Sequence, residues 1–335
     1  MGVKDTITKD YINDPYIFAD AFNFLLYNGE TVILPGKLHP LDTTVTGVLQ
    51  DVDDTVIPVQ KFRDNMKYFS GMKDDTAVYL LLGVELQSEV HYAMPVKDML
   101  YDALQYSSQV EETAKVHRRE KKGKDDIQTG KNKKPSSGEY LSGFYKEDRL
   151  LPVITLVIYF GPDRWDGPIC LHEMLAVTDD KLLCFIPDYK INLITPEGLD
   201  EEQLDRFGTS LREVLLFTKY SKDKEKLYNL VEKDTRFHNI EQKAGRVINA
   251  ITGAGLRMDE SEEYVDMCKA IQDMREEAML TGKQVGRQEG QQLKEKEIII
   301  RMLKKKIFTY GEIAEIVKTS EEKVKEVEVE MLNMK

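Results

Sequence analysis

Residues 150–160, LLPVITLVIYF, limit the fold more than any other stretch of the chain. A strand sends successive side chains to opposite faces, so a run that is apolar and β-branched on both must be covered from both sides. Gly161-Pro162 stops it. The run therefore reads as a buried central strand. Together with the helix, hairpin and helix that precede it, it predicts an α/β sheet domain over residues 1–195.

Residues 59–109 supply the hairpin. They read as a strand, a polar turn, a longer apolar strand and a helix opening near Pro95. An antiparallel turn across residues 71–75, with Ser70 opposite Tyr79, places Asp64 opposite Glu85. Alternation puts Gln87 on the same face as Glu85. Opposed like charges destabilise a sheet, and a divalent cation is their usual compensation. The helix from Pro95 is expected to turn Val96, Met99, Leu100, Ala103 and Leu104 inward. Tyr92, Tyr101, Gln105 and Tyr106 would bring rings and an amide towards the acidic strand, where such groups stack on bases or hold water, or else simply line the core edge.

Around this centre, Asp14-Pro15 opens a helix through Tyr27 that Gly29 ends. Asp20, off its apolar stripe, reads either as a solvated helix residue or as an acid of the site. Residues 30–58 read as an irregular surface loop with the acidic run DVDD at 51–54; Asp42 within it is an alternative to Asp64. Residues 115–138 are basic, lack apolar anchors and read as a flexible loop, with Lys121 and Lys122 placed to meet phosphate. Beyond residue 195 the pattern becomes helical: an extension at 196–258, then a connector at 259–290 interrupted by Gly282, Gly286 and Gly290. A small helix–turn–helix-like tail follows at 291–335, with Ser320 as an N-cap. Helical packing or self-association through these helices is expected. Base reading by the tail is disfavoured because its last helix is acidic.

A net charge of −12 excludes a uniformly basic nucleic-acid coat, though not a local basic groove. No run approaches the ~20 apolar residues of a membrane span, and the N-terminus lacks a signal-peptide core. The three cysteines, Cys170, Cys184 and Cys268, match no zinc spacing and fit a reducing compartment, so a cytoplasmic protein is expected. His172-Glu173 lacks the second histidine of a zinc protease motif.

Nucleophile elbows, phosphate-cradling loops and dinucleotide fingerprints are absent from the sequence. What remains is Asp64 with Glu85-x-Gln87. Two carboxylates and the backbone carbonyl of Leu86 are hard oxygen donors suited to Mg²⁺ (or Mn²⁺), which could activate water against a phosphodiester. Gln87 cannot act as a base and would only orient water or phosphate.

DPYIFADAFNFLLYNG at 14–29, FRD at 62–64, LLLGVELQSEVHYAMPVKDMLYDALQY at 80–106 and FYKEDRLLPVITLVIYFG at 144–161 carry a likeness across most of residues 10–195. This run resembles the recombination-promoting nuclease/putative transposase family of bacteria, within the PD-(D/E)XK nuclease superfamily. The resemblance implies a restriction-endonuclease-like core, with a mixed sheet flanked by helices, DNA as substrate and a role in recombination or transposition. It also implies Asp64 and Glu85 as metal ligands, Asp20 as a helix-borne addition to them, and Gln87 where many relatives place lysine. A glutamine offers a dipole instead of a charge, so slow turnover, or a nuclease fold kept for binding and assembly, is the alternative expectation.

Overall fold

The computed structural model describes residues 3–41, 44–50, 56–62, 65–73, 76–122, 135–259 and 261–333. Seven strands occupy its first part: β1 (Leu38–Pro40), β2 (Thr44–Gln50), β3 (Val56–Phe62), β4 (Asn65–Lys73), β5 (Thr76–Gln87), β6 (Val153–Tyr159) and β7 (Asn192–Ile194). Five of them form one sheet in the order β1-β4-β5-β6-β7. Pairing is antiparallel across β1, β4 and β5 and parallel across β5, β6 and β7, so the sheet is mixed. The apolar run at 150–160 supplies β6, whose Leu156, Val157 and Ile158 are fully buried between β5 and β7.

The hairpin has the register its sequence suggests, with Ser70 opposite Tyr79, and its strands continue to a Lys73–Thr76 pair. Among the described residues of 30–58 the chain is not a simple loop: besides β1, β2 and β3 pair antiparallel from Thr44–Phe62 to Gln50–Val56 as a separate ribbon. Pro35, Pro40 and Pro58, spread through the segment and read as breaks, concealed them. Pro58 is tolerated because each strand of a two-stranded ribbon is an edge, where a missing N–H need not break a ladder. Asp42 and the DVDD run lie outside the described residues.

Helices α1 (Val3–Asn13), α2 (Pro15–Tyr27) and α3 (Met94–Lys122) cover the sheet, and α4 (Ser137–Ser142) and α5 (Asp180–Leu183) are short. Neighbours on β4 show the cover to be two-sided. Met66 packs with Leu81, Val153 and Tyr106 of α3. Lys67, pointing the other way, donates to the Asn13 carbonyl at 2.7 Å and lies over the Phe18 ring of α2. Asp14 caps α2 as its sequence suggests, accepting from the Tyr16 N–H at 3.0 Å. The helix ends on Asn28 in the left-handed conformation, and Gly29 follows at φ +93°, where a Cβ would lie 2.8 Å from the Arg206 carbonyl oxygen. The basic run at 115–138 is partly helix, since α3 continues to Lys122; a charged sequence without apolar anchors can extend a helix nucleated by a packed first half.

After β7 come α6 (Glu201–Leu204), α7 (Leu211–Tyr220), α8 (Lys224–Lys233), β8 (Ile240–Glu241), α9 (Gln242–Thr252) and β9 (Tyr264–Val265). α7 packs on α9, and α9 on α1, so these helices belong to the same compact unit, Met1–Cys268. Glu213, 2% exposed on α7, is held by Arg212 at 2.9 Å and Arg236 at 2.8 Å.

The second unit, Lys269–Lys335, contains most of α10 (Met267–Lys305) with α11 (Tyr310–Val317) and α12 (Glu321–Asn333). Its core joins Ile299 to Ile313, Ala314, Val324 and Val327. Ser320 caps α12 through the Lys323 N–H at 3.2 Å. The glycines do not interrupt α10, which is continuous over 39 residues and exposed all round from 272 to 294. A Cβ on Gly286 would meet nothing within 4 Å, so only the helical penalty of glycine remains. Gly286→Ala is expected to stabilise this helix by about 1 kcal/mol and to slow limited proteolysis there. Unchanged cleavage between residues 280 and 292 would contradict it. Among the described residues, no helix is long and apolar enough to cross a membrane.

Candidate active-site cleft

β5 and β6 run parallel and finish side by side, with Gln87 paired to Tyr159 and the Phe160 N–H donating to the Gln87 carbonyl at 2.9 Å. The carboxyl ends of parallel strands are where open α/β sheets gather ligands. A cleft of about 270 Å³ opens there, lined by Leu86 and Gln87 at the end of β5, Glu89 just after it, Lys97 of α3, and Asp5 and Lys9 of α1.

Glu85, next to Leu86 in β5, is 1% exposed and reaches the cleft's lining through Lys97, whose ammonium lies 2.7 Å from its Oε2. Taking a carboxylate out of water costs several kcal/mol, which a well-placed cation offsets. Lys97 can reach it because Glu85 shares the sheet face covered by α3, and because α3 begins at Met94, beside the strand's end. Its ammonium also lies 5.8 Å from the ring centre of Tyr101, one helical turn on. Sequence reading missed Lys97. The signal was faint: a lysine twelve residues past the acid, in the first turn of the following helix.

The inner face of α3 differs from the expected one. Met94, Asp98, Tyr101 and Asp102 are buried, whereas Val96 is 39% exposed. Counting only apolar positions misphased the helix, because two of its buried residues are acids. Asp102 accepts from the Thr155 hydroxyl of β6 and from Tyr189, both at 2.6 Å, which ties α3 to the sheet. Tyr101, 5% exposed, supports Lys97 and offers no free face to a base. Gln105, two turns beyond Lys97 on the same side, is half-buried. Tyr92 is exposed and donates to Asp166, which raises its pKa; burial, then Asp163 and Glu89, raise that of Tyr159. Neither phenol is a base at neutral pH.

Asp20 is neither solvated nor turned to the cleft's lining. Its carboxylate accepts from the Gly208 N–H at 3.0 Å, the Thr209 N–H at 2.9 Å and the Thr209 hydroxyl at 2.5 Å. Asp64 falls outside the described residues, as do the side chains of Lys121 and Lys122. Of the expected constellation, the structure thus brings together Glu85, Leu86 and Gln87, and adds Lys97.

Comparisons with protein-family models, curated proteins and solved structures gave no match.

The chemistry of the cleft must accordingly be read from its own groups. Leu86, Gln87, Asp5 and Glu89 line the cleft with carbonyl, amide and carboxylate oxygens, and the buried Glu85 carboxylate adjoins them through Lys97. An all-oxygen set fits a hard divalent cation such as Mg²⁺ or Mn²⁺ and not a softer metal. Lys97 and Lys9 add two ammonium groups, so the cleft can hold an anion beside a cation.

Proposed function

We propose that the chain is a metal-dependent endonuclease that hydrolyses phosphodiester bonds in DNA, in keeping with the resemblance of residues 10–195 to the PD-(D/E)XK recombination nucleases. The observation that carries this reading is the buried Glu85 at the carboxyl end of β5, joined to Lys97, which lines a cleft that also presents Gln87. When bound, Mg²⁺ or Mn²⁺ would supply a Lewis acid and a more acidic water, held by Glu85, the Leu86 carbonyl and Asp64. Lys97 does what Gln87 cannot: it provides a positive charge for a phosphate oxygen. Gln87, on the face of Glu85, orients water or phosphate by hydrogen bonding. Recombination or transposition is the corresponding biological role.

A second reading draws on the same contact. A carboxylate already neutralised by an ammonium at 2.7 Å has less need of a cation, which favours a nuclease fold retained for DNA or protein binding and for self-assembly. Plasmid nicking separates the two. With Mg²⁺ or Mn²⁺ the wild-type chain is expected to nick, and Glu85→Gln or Asp64→Asn to lower the rate on the order of a hundredfold or more with circular dichroism unchanged. Equal nicking by all three proteins would remove the enzymatic reading.

A further inference from the structure

A second cluster lies away from the cleft, where β8 pairs with β9. Ile240 opposes Val265 and Glu241 opposes Tyr264, so the residue groups just before β8 and just after β9 are brought together. His238 precedes β8; Asp266 and Cys268 follow β9 across the start of α10. One ligand atom from each lies within 4.8 Å of the others. We propose that His238, Asp266 and Cys268 form a Zn²⁺ site, with a water molecule as the fourth ligand. The His238 Nδ1 and Asp266 Oδ2 are already 3.3 Å apart. Zinc bonds to N, O and S imply ligand-to-ligand separations of about 3.3–3.8 Å in a tetrahedron, so the remaining closure is of ångström size. The frame that must hold the ligands is rigid: Phe237 and Met267, next to them in sequence, are both 0% exposed, and Ile240 is 2% exposed. Cys268 is itself 7% exposed, while His238 and Asp266 open to solvent at 39% and 41%, leaving a side for the water.

The donor types select the metal. One imidazole, one carboxylate and one sulfur suit Zn²⁺, whereas Mg²⁺ wants oxygen alone. Zinc takes Cys268 as the thiolate, so the S–H proton would pass to solvent as the Zn–S bond forms. The ligand spacing does not belong to any short zinc motif, because the strand pair closes a gap of 28 residues between His238 and Asp266. The site would therefore pin residues 238–268 rather than act on the cleft's substrate.

The test uses the full, tag-free chain carrying Glu85→Gln, so that the cleft does not contribute, stripped with a chelator and then titrated with Zn²⁺ or Co²⁺. One metal per chain is expected, with a sulfur-to-metal charge-transfer band in the Co²⁺ form and a rise in Tm on adding Zn²⁺. His238→Ala, at an exposed position that leaves the fold intact, should weaken Zn²⁺ binding by about tenfold or more, and Cys268→Ser should abolish the charge-transfer band. If Cys268→Ser does not fold, the band in the parent chain and its weakening in His238→Ala decide the matter. Binding unchanged in His238→Ala, or a Co²⁺ form without that band, would overturn the site.

Discussion

Lys97→Met is expected to destabilise the sheet unit by about 3 kcal/mol, because it removes the ammonium 2.7 Å from a carboxylate that is 1% exposed. Methionine keeps a long apolar side chain and removes only the ammonium, with its 5.8 Å approach to the Tyr101 ring, so the loss reports charge and not volume. Glu85→Gln, which takes away the other charge at nearly constant shape, should cost less by itself. Combined with Lys97→Met, it should recover most of the loss. Urea unfolding of the four proteins gives the coupling directly. A double variant as unstable as Lys97→Met alone would mean that the ion pair contributes little and that Lys97 acts through packing. A fifth protein, Lys97→Arg, separates stability from chemistry. If Lys97 also supplies charge to a phosphate, Lys97→Arg should keep the stability yet lose nicking, since a guanidinium is wider and its charge spread out. Full nicking by Lys97→Arg would confine the lysine to holding Glu85.

The sheet was legible because its information is local and periodic. The two-faced apolar run forced β6 to the interior, and the polar turn fixed a register that Ser70 and Tyr79 keep. The site was only half legible. Glu85 and Gln87 follow from alternation along one strand, but Lys97 comes from another element, and nothing in its own neighbourhood distinguishes it from an ordinary surface lysine. The misphased α3 has a related cause. Asp98 and Asp102 are buried, and amphipathic counting treats every carboxylate as a marker of the solvent side. Asp102 can be inside because Thr155 and Tyr189 satisfy it, and those partners lie 53 and 87 residues away. The ribbon of β2 and β3 was hidden by the opposite error, prolines read as breakers where an edge strand accommodates them.

Asp20 gives the other large expected effect, and it tests a residue for which two roles compete. As a clasp, Asp20 on α2 receives three hydrogen bonds from Gly208 and Thr209, just before α7, and so fastens two distant helices together. Hydrogen bonds to a charged acceptor contribute about 1.5–3 kcal/mol each and do not add fully. Asp20→Ala should thus lower stability by roughly 3 kcal/mol. Asp20→Asn should lower it nearly as much, since an amide can present only one oxygen and sets a donor against a donor. As a metal ligand, the same residue makes the opposite forecast. Asp20→Asn would then keep the apo stability, lose the stabilisation that Mg²⁺ or Mn²⁺ confers, and abolish nicking. Unfolding curves with and without metal distinguish the two. The contacts to Gly208 and Thr209 favour the clasp, for which the metal-induced rise in Tm is the same in wild type and Asp20→Asn while the baseline falls. An unchanged baseline with no response to metal would return Asp20 to the site.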